Sequence, residues 1–512
     1  MLTKEKPSVV FVHSECENLG VEALSSFLKS NGYNCDLVFS PRALDSVSFH
    51  LKPLKDFFNE DKDTVRQVIS KRPDLVAFSV FTGSYQWALN IANMIKQELD
   101  VPVIFGGIHP TSVPERVLNN SCVDFVCMGE GELPLLNIMD RIKEGREISG
   151  IENIWHRKDG AVIKNPIRPL ISDLDSLGFP DKDLFYKNFP RFFQRESYMT
   201  MSGRGCPFKC TYCCNDVYIQ LFKDKGRFVR RRSVGHVIEE LDRGLGKYNF
   251  KRVDFQDDVF ATDPNWLSDF ADSYTRHIKR PYTCFLHPQL VTYEILKYLK
   301  KSGCFWLKMG LQSASEKTRR EVLQRFESNE KIKEVGKWCH ELRLDFTIDH
   351  IFNLPREGKD EQIEAIKLYN ELRPSSINTF SLLYFPNTKI VDIARREGIL
   401  NENDIERINE GKWQLSNISG FAGRDPLSKG TRNDAAIFWF SLIALLPWKL
   451  IDYFIRRRFI EKKFRAPLFV QVFLKVLSKI KARQVYIYVY VVSSSIYFTL
   501  KLLKGRLLKK VS

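Results

Sequence analysis

The chemistry most easily read from this 512-residue chain lies in three cysteines. The segment GRGCPFKCTYCC places Cys206, Cys210 and Cys213 in a C-x3-C-x2-C array, with Cys214 beside them. Three thiolates at that spacing can wrap one [4Fe-4S] cubane and leave its fourth iron without a protein ligand, open to a small molecule. Gly203 and Gly205 let backbone approach such a cluster, and Phe208 and Tyr212 can shield it from water. Two other readings use the same residues: a zinc knuckle completed by Cys214 or His236, and a structural disulfide. The zinc site needs a fourth ligand that Cys214 supplies awkwardly and His236 only by folding back, and crowding of the thiols with a reducing compartment weighs against the disulfide.

The elements that must position this loop follow two patterns. Val9–His13, Asn34–Phe39, Leu75–Phe81, Pro102–Phe105 and Phe125–Met128 read as short apolar strands, with amphipathic helices at Glu17–Asn31 and Tyr85–Glu98. Continuous apolar strands separated by helices predict an α/β fold with a doubly wound parallel sheet of the Rossmann or flavodoxin kind. Ligands of such sheets sit at the carboxyl ends of the strands. Here those ends read Ser14-Glu15, Thr82-Gly83-Ser84, Gly106-Gly107-Ile108-His109 and Gly129-Glu130-Gly131-Glu132. The first loop, SECENLG, lacks G-x-G-x-x-G, which argues against a nicotinamide or flavin dinucleotide. The bland alternative is that these glycines are tight turns and that His109 merely starts the next helix.

From Tyr198 a second series begins, with strands at Tyr198–Ser202, Val253–Gln256, Tyr282–Phe285, Trp306–Met309, Asp345–His350 and Ile377–Tyr384. Helices at Val234–Leu245, Asn265–His277 and Glu361–Leu372 separate them, which predicts a partial (β/α)6 barrel with its chemistry at the C-terminal strand ends. The expected organisation is an α/β domain over 1–140, a connector with a hairpin at Asp159-Gly160 over 141–195, the barrel over 196–400 and a helical region over 401–512.

Charge is segregated. Residues 421–512 hold 19 Lys and Arg against 4 Asp and Glu, leaving 59 against 58 in the rest. A neutral body argues against a nucleic-acid partner. The N-terminus has no signal-peptide pattern, so a cytoplasmic protein is expected. Ala435–Trp448 and Val485–Leu500 are uncharged but shorter than the roughly 20 residues that span a bilayer. With Lys and Arg beside Trp, Tyr and Phe, they suit peripheral attachment to the inner face of a membrane, or a helical cap on the barrel.

The segments ENLGVEAL, FTGSYQWAL, VPVIFGGIHPT, VDFVCMGEGE, LDSLGFPD, CPFKCTYC, DFQDDVF, MGLQSASE, DHIFNLPRE and YFPNT occur in that order over residues 8–400. The set resembles the radical S-adenosylmethionine superfamily, and the N-terminal half resembles its cobalamin-binding branch. The resemblance implies a cluster on Cys206, Cys210 and Cys213, S-adenosylmethionine on the open iron, and cobalamin over the strand ends that carry Thr82, Gly83, Ser84, Gly106, Gly107, His109, Gly129 and Glu130. It places Asp257 and Asp258 at the methionyl amino group or the substrate side, Gln312 and Ser313 at the ribose or methionyl carboxylate, Arg325 at that carboxylate, and Ile351 against adenine. From the residues alone, Ser313 and Glu316 also fit a capping box, Arg325 fits an exposed helix position, and His287 fits a proton donor or a solvated loop histidine. Two departures stand out: Asn353 replaces the family's usual glycine, and D-x-H-x-x-G, which supplies a histidine to cobalt in many cobalamin proteins, is missing.

The implied activity is radical methyl transfer to an unactivated carbon of a hydrophobic, lipid-like small molecule, with electrons from an external flavodoxin or ferredoxin. A radical oxidative cyclase or other cobalamin-dependent rearrangement is the alternative on the same architecture. A non-catalytic cobalamin or redox sensor is the alternative from another class.

Overall fold

The computed structural model describes residues 6–42, 45–46, 49–50, 60–187, 197–412, 434–461 and 468–482. Five parallel strands begin the first sheet: β1 (Ser8–Ser14), β2 (Asn34–Ser40), β3 (Leu75–Ser79), β4 (Val103–Gly106) and β5 (Phe125–Cys127). Their spatial order is β2-β1-β3-β4-β5, the flavodoxin-like arrangement, with the switch point between β1 and β3. Side chains alternate between two cores, as a strand period of two requires. Val9, Phe11, Ala77 and Ile104 pack with α1 (Leu19–Ser30) and α6 (Glu132–Glu144), while Val10, Val76, Phe78 and Phe105 pack with α2 (Glu60–Lys71) and α3 (Tyr85–Glu98). Both faces are covered, which is why these strands read as unbroken apolar runs.

α1 starts later than its apolar pattern because Asn18 caps it, its side chain accepting from the Val21 amide. α2 escapes a periodicity reading because its sequence, EDKDTVRQVISK, is mostly charged; it buries only Thr64, Val65 and Val68. Between β4 and β5 lie α4 (Ile108–Ser112) and α5 (Pro114–Leu118). β6 (Ile154–Lys158) and β7 (Ala161–Lys164) turn at Asp159 and Gly160, both at positive φ as the Asp-Gly signal demands. They add antiparallel to β5, so the segment read as a connector also supplies the sheet's edge.

The second sheet is six parallel strands in sequential order: β8 (Ser197–Thr200), β9 (Arg252–Phe255), β10 (Tyr282–Leu286), β11 (Cys304–Gln312), β12 (Asp345–Phe352) and β13 (Ser376–Ser381). The helices between them include α7 (Asn215–Leu221), α8 (Val234–Tyr248), α9 (Pro264–His277), α10 (Tyr293–Lys301), α11 (Glu316–Glu321), α12 (Asn329–Glu341) and α13 (Lys359–Leu372). β8 and β13 do not pair, so the barrel is open. After it come α14 (Lys389–Arg396) and α15 (Glu402–Asn409).

The apolar run at 435–448 divides at Pro447 into α16 (Asp434–Leu445) and α17 (Trp448–Arg456). α16 is a cap on the barrel: it packs on α13 and β13, buries Ala436, Trp439, Phe440 and Ile443, and stacks Phe440 on Phe352. α18 (Leu468–Lys481) packs against it. Among the described residues no helix is long and apolar enough to cross a membrane; the run at 485–500 lies outside them.

Candidate active site

The cysteine loop leaves β8 under tight control. Asp257, just after β9, accepts from the Ser202 amide at 2.9 Å and from its hydroxyl at 2.6 Å. Gly203 and Arg204 pair with Arg230 and Arg231 as a two-residue ribbon. Gly205 has φ +87°, and a Cβ there would lie 2.4 Å from the Phe228 carbonyl oxygen, so glycine is required. On the far side Thr211 donates from its amide to the Leu323 carbonyl (3.2 Å) and from its hydroxyl to that of Val322 (2.6 Å). The loop is thus stapled to both β8 and the segment after α11.

Cys210 is buried; Cys206, Cys213 and Cys214 are half-buried. Burial pushes the Cys206 thiol up to about 12 and raises Cys210 as well, although Arg325 opposes the latter. Cys213 is raised by its contact with Cys214, by burial and by the nearby Asp258. Such thiols ionise only when cationic metal balances them, which fits a site completed by a cluster. No three His, Cys, Asp or Glu side chains among the described residues converge on a single ion.

Arg325 is not an exposed helix residue. It lies in the loop between α11 and α12, 4% exposed, with Nη1 3.9 Å from the Cys210 sulfur, Nε donating to Glu327 at 2.8 Å and Nη2 to the Gly310 carbonyl at 2.5 Å. His287 is not solvated either: its ring stacks on Phe208 at 3.6 Å between centroids, and Nδ1 accepts from the Gln289 amide. Burial, with Arg325 nearby, drives it down to about 2, which favours the neutral ring. Its Nε2 lies 4.0 Å from Glu327 Oε2.

The other barrel residues divide by environment. Asp258 is exposed beside the cysteine loop. Gln312 is half-buried at the end of β11 with φ +69°. Ser313 is buried and does not cap α11; Ser315 does, accepting from Thr318, while Ser313 donates to Glu357 and Glu316 accepts from the Asn329 amide. Burial lifts Glu357 to about 7. Ile351 packs in the apolar cluster that Tyr212 touches. Asn353 has φ +64°, the left-handed conformation that glycine takes freely and asparagine tolerates best, which explains its substitution for glycine.

A cavity of ≈ 440 Å³ lies between the carboxyl ends of the first sheet and the cysteine loop. From the first sheet Ser79, Gly106, Gly107, Gly129 and Glu130 line it; from the other side come Gly203, Gly205, Asn215, Tyr218 and Phe222. Thr82, Gly83, Ser84 and His109 do not. β3 ends at Ser79, and the chain then turns into a short 3-10 helix (Thr82–Ser84) that is fully buried. His109 Nδ1 lies 3.2 Å from Thr82 Oγ1, its ring packs on Tyr85, and burial drives it down to about 3.

The sequence placed Glu130 at this cavity but gave no notice of the arginines that hold it and Glu132. Arg204 Nη1 donates to Glu130 at 3.0 Å and Nη2 to Glu132 at 2.5 Å, and Arg230 Nη1 lies 2.9 Å from Glu130. Burial would raise Glu132, but Arg204 holds it below the usual carboxylate range. Gly129, at φ +74°, admits the Phe222 ring where a side chain would collide. The available signals were the arginine inside GRG and the RRR run at 230–232.

Comparison with known proteins agrees with this two-part site. The B12 binding domain family matches residues 6–139 and the radical SAM superfamily matches residues 200–369. An uncharacterised methyltransferase of Pyrococcus horikoshii is 26% identical over 340 residues, covering 66% of this chain and 72% of its own. The anaerobic magnesium-protoporphyrin IX monomethyl ester cyclase of Rubrivivax gelatinosus is 27% identical over 405 residues, covering 72% of this chain and 67% of its own. The fold is shared with the cobalamin-dependent S-adenosylmethionine radical enzyme OxsB, solved with aqua-cobalamin and S-adenosylmethionine bound. That match has a TM-score of 0.66 at 15% identity and covers 99% of this chain and 82% of that one.

Proposed function

Because this chain is a radical S-adenosylmethionine enzyme with its own B12-binding domain, we propose that it transfers a methyl group from cobalamin to an unactivated carbon of a hydrophobic small molecule. The observation that carries the reading is a cavity lined from one side by strand ends of the B12-binding domain and from the other by Gly203, Gly205 and Asn215, which flank the loop of Cys206, Cys210 and Cys213. When bound, the cluster, S-adenosylmethionine and cobalamin supply hydrogen-atom abstraction and the methyl group. The chain's own residues hold and orient. In this reading the three cysteines ligate the cluster, Asp258 and Gln312 face the methionyl and ribose groups, Ile351 with Tyr212 bounds the adenine side, and Gly106, Gly107, Gly129 and Glu130 cradle the corrin. Asp257, whose two carboxylate oxygens both hold Ser202, positions the loop. The units in this proposal are 1–140, 141–195, 196–400 and 401–512. An external flavodoxin or ferredoxin supplies electrons, and the reducing chemistry calls for the cytoplasm.

Protein purified without oxygen tests this. Four irons, bound corrinoid and 5′-deoxyadenosine release that is lost in Cys210→Ala are the expected outcome; zinc without deoxyadenosine overturns it. The relative that is a cyclase keeps a second reading in play. Product mass separates the two, since methylation adds one CH2.

A further inference from the structure

α16 and α17 follow one another but face different surroundings. α16 is buried against the barrel, whereas α17 packs Ile451, Phe454 and Ile455 on its inner face and turns Trp448, Leu450 and Tyr453 outward. Trp448 is 52% exposed, Leu450 41%, Tyr453 51% and, just beyond the helix, Phe459 40%. On α18 Phe473 and Ile480 are exposed as well. Large side chains standing clear of a well-packed domain mark a surface that meets something apolar.

The cations among these rings identify what that is. Lys449 lies 5.9 Å from the Trp448 ring and Arg457 5.6 Å from that of Tyr453. Neither has a carboxylate partner among the described residues, whereas Arg456 and Arg458 are paired with Asp452 and Glu461. The excess of 19 basic over 4 acidic residues in 421–512 gives the whole region one sign. Protein interfaces are depleted in lysine. Trp and Tyr between Lys and Arg are instead the composition of a membrane interface, where rings enter the headgroup layer and long cationic side chains snorkel to phosphate.

We infer that the outer face of α17, from Trp448 to Phe459, docks the enzyme on an anionic lipid surface without spanning it. The inference does not depend on which reaction the cavity performs. Flotation of the full-length protein with vesicles of phosphatidylglycerol in phosphatidylcholine tests it, with pure phosphatidylcholine and added salt as comparisons. The wild type should float with the anionic vesicles and lose binding as salt rises. Lys449→Gln with Arg457→Gln should lower the partition coefficient roughly 30-fold, at about 1 kcal/mol per cation. Trp448→Ser with Tyr453→Ser should weaken binding without changing its salt dependence. Unchanged far-ultraviolet circular dichroism in both variants excludes misfolding. Failure of the wild type to float, equal flotation on pure phosphatidylcholine, or full binding by both variants overturns the inference. Equally tight binding to duplex RNA that the aromatic pair does not affect would replace it with a polyanion site.

Discussion

In the site proposed above, Arg325 is the side chain placed to set the properties of the cluster. Its guanidinium stands 3.9 Å from the Cys210 sulfur and is neutralised by Glu327 at 2.7 Å, so the positive end of a buried dipole faces the ligand. Charge near cluster sulfurs tunes the reduction potential. Arg325→Gln should therefore move the midpoint potential of the reconstituted cluster more negative, and Glu327→Gln more positive, in a redox titration followed by electron paramagnetic resonance without S-adenosylmethionine. Shifts of the same sign would show that the two act only through structure. Asp257 acts one step earlier. Asp257→Asn removes an acceptor from the Ser202 amide or hydroxyl, and leaving a buried donor unsatisfied should lower stability by about 1–3 kcal/mol in denaturant unfolding. The cysteines were legible because their spacing is local. The contact between Arg325 and Cys210 was not, because the two stand 115 positions apart.

The strand-helix alternation was legible in nearly every element, since burial on both faces writes continuous apolar runs into the strands. Strand ends were less so. The run 75–81 is apolar apart from Ser79, but pairing stops at that residue, which places Thr82, Gly83 and Ser84 behind the cavity wall and Ser79 in it. The joint between the two sheets rests on the start of α6, where Glu130 and Glu132 meet Arg204 and Arg230. Breaking one side of a buried ion pair costs about 3–5 kcal/mol because the other charge stays buried. Arg204→Met should lose stability on that scale and lower corrinoid retention, while Arg204→Met with Glu132→Leu should recover most of the stability. A double-mutant cycle in urea, with corrinoid measured by absorbance, reads both.

Four histidines shape the response of the whole molecule to pH. Burial drives His13 to about 4, His109 and His350 to about 3 and His287 to about 2, against 6.5 for the unfolded chain. Below 6.5 the unfolded state binds protons that the folded state refuses, so each contribution is intact above that pH and is lost as pH falls. The loss approaches about 1.4 kcal/mol per histidine per pH unit. Unfolding midpoints should drop steeply between pH 7 and 5, and His350→Gln should flatten that slope; a midpoint constant over this range would contradict the assignment. The C-terminal helices belong to this scale too, since α16 closes the barrel flank while α17 leaves its aromatic face outside.

The C-x3-C-x2-C spacing, the two βα series and the separation of a neutral body from a basic end are readable in one dimension, because each is set by residue types at short separation. Packing in three dimensions sets which strand-end residues reach the cavity, that Arg204 and Arg230 close it on Glu130 and Glu132, and that Arg325 faces Cys210. These depend on where pairing stops and how helices pack over separations of 72 to 115 residues. The periodicity of a segment says which face is buried, and only packing says against what.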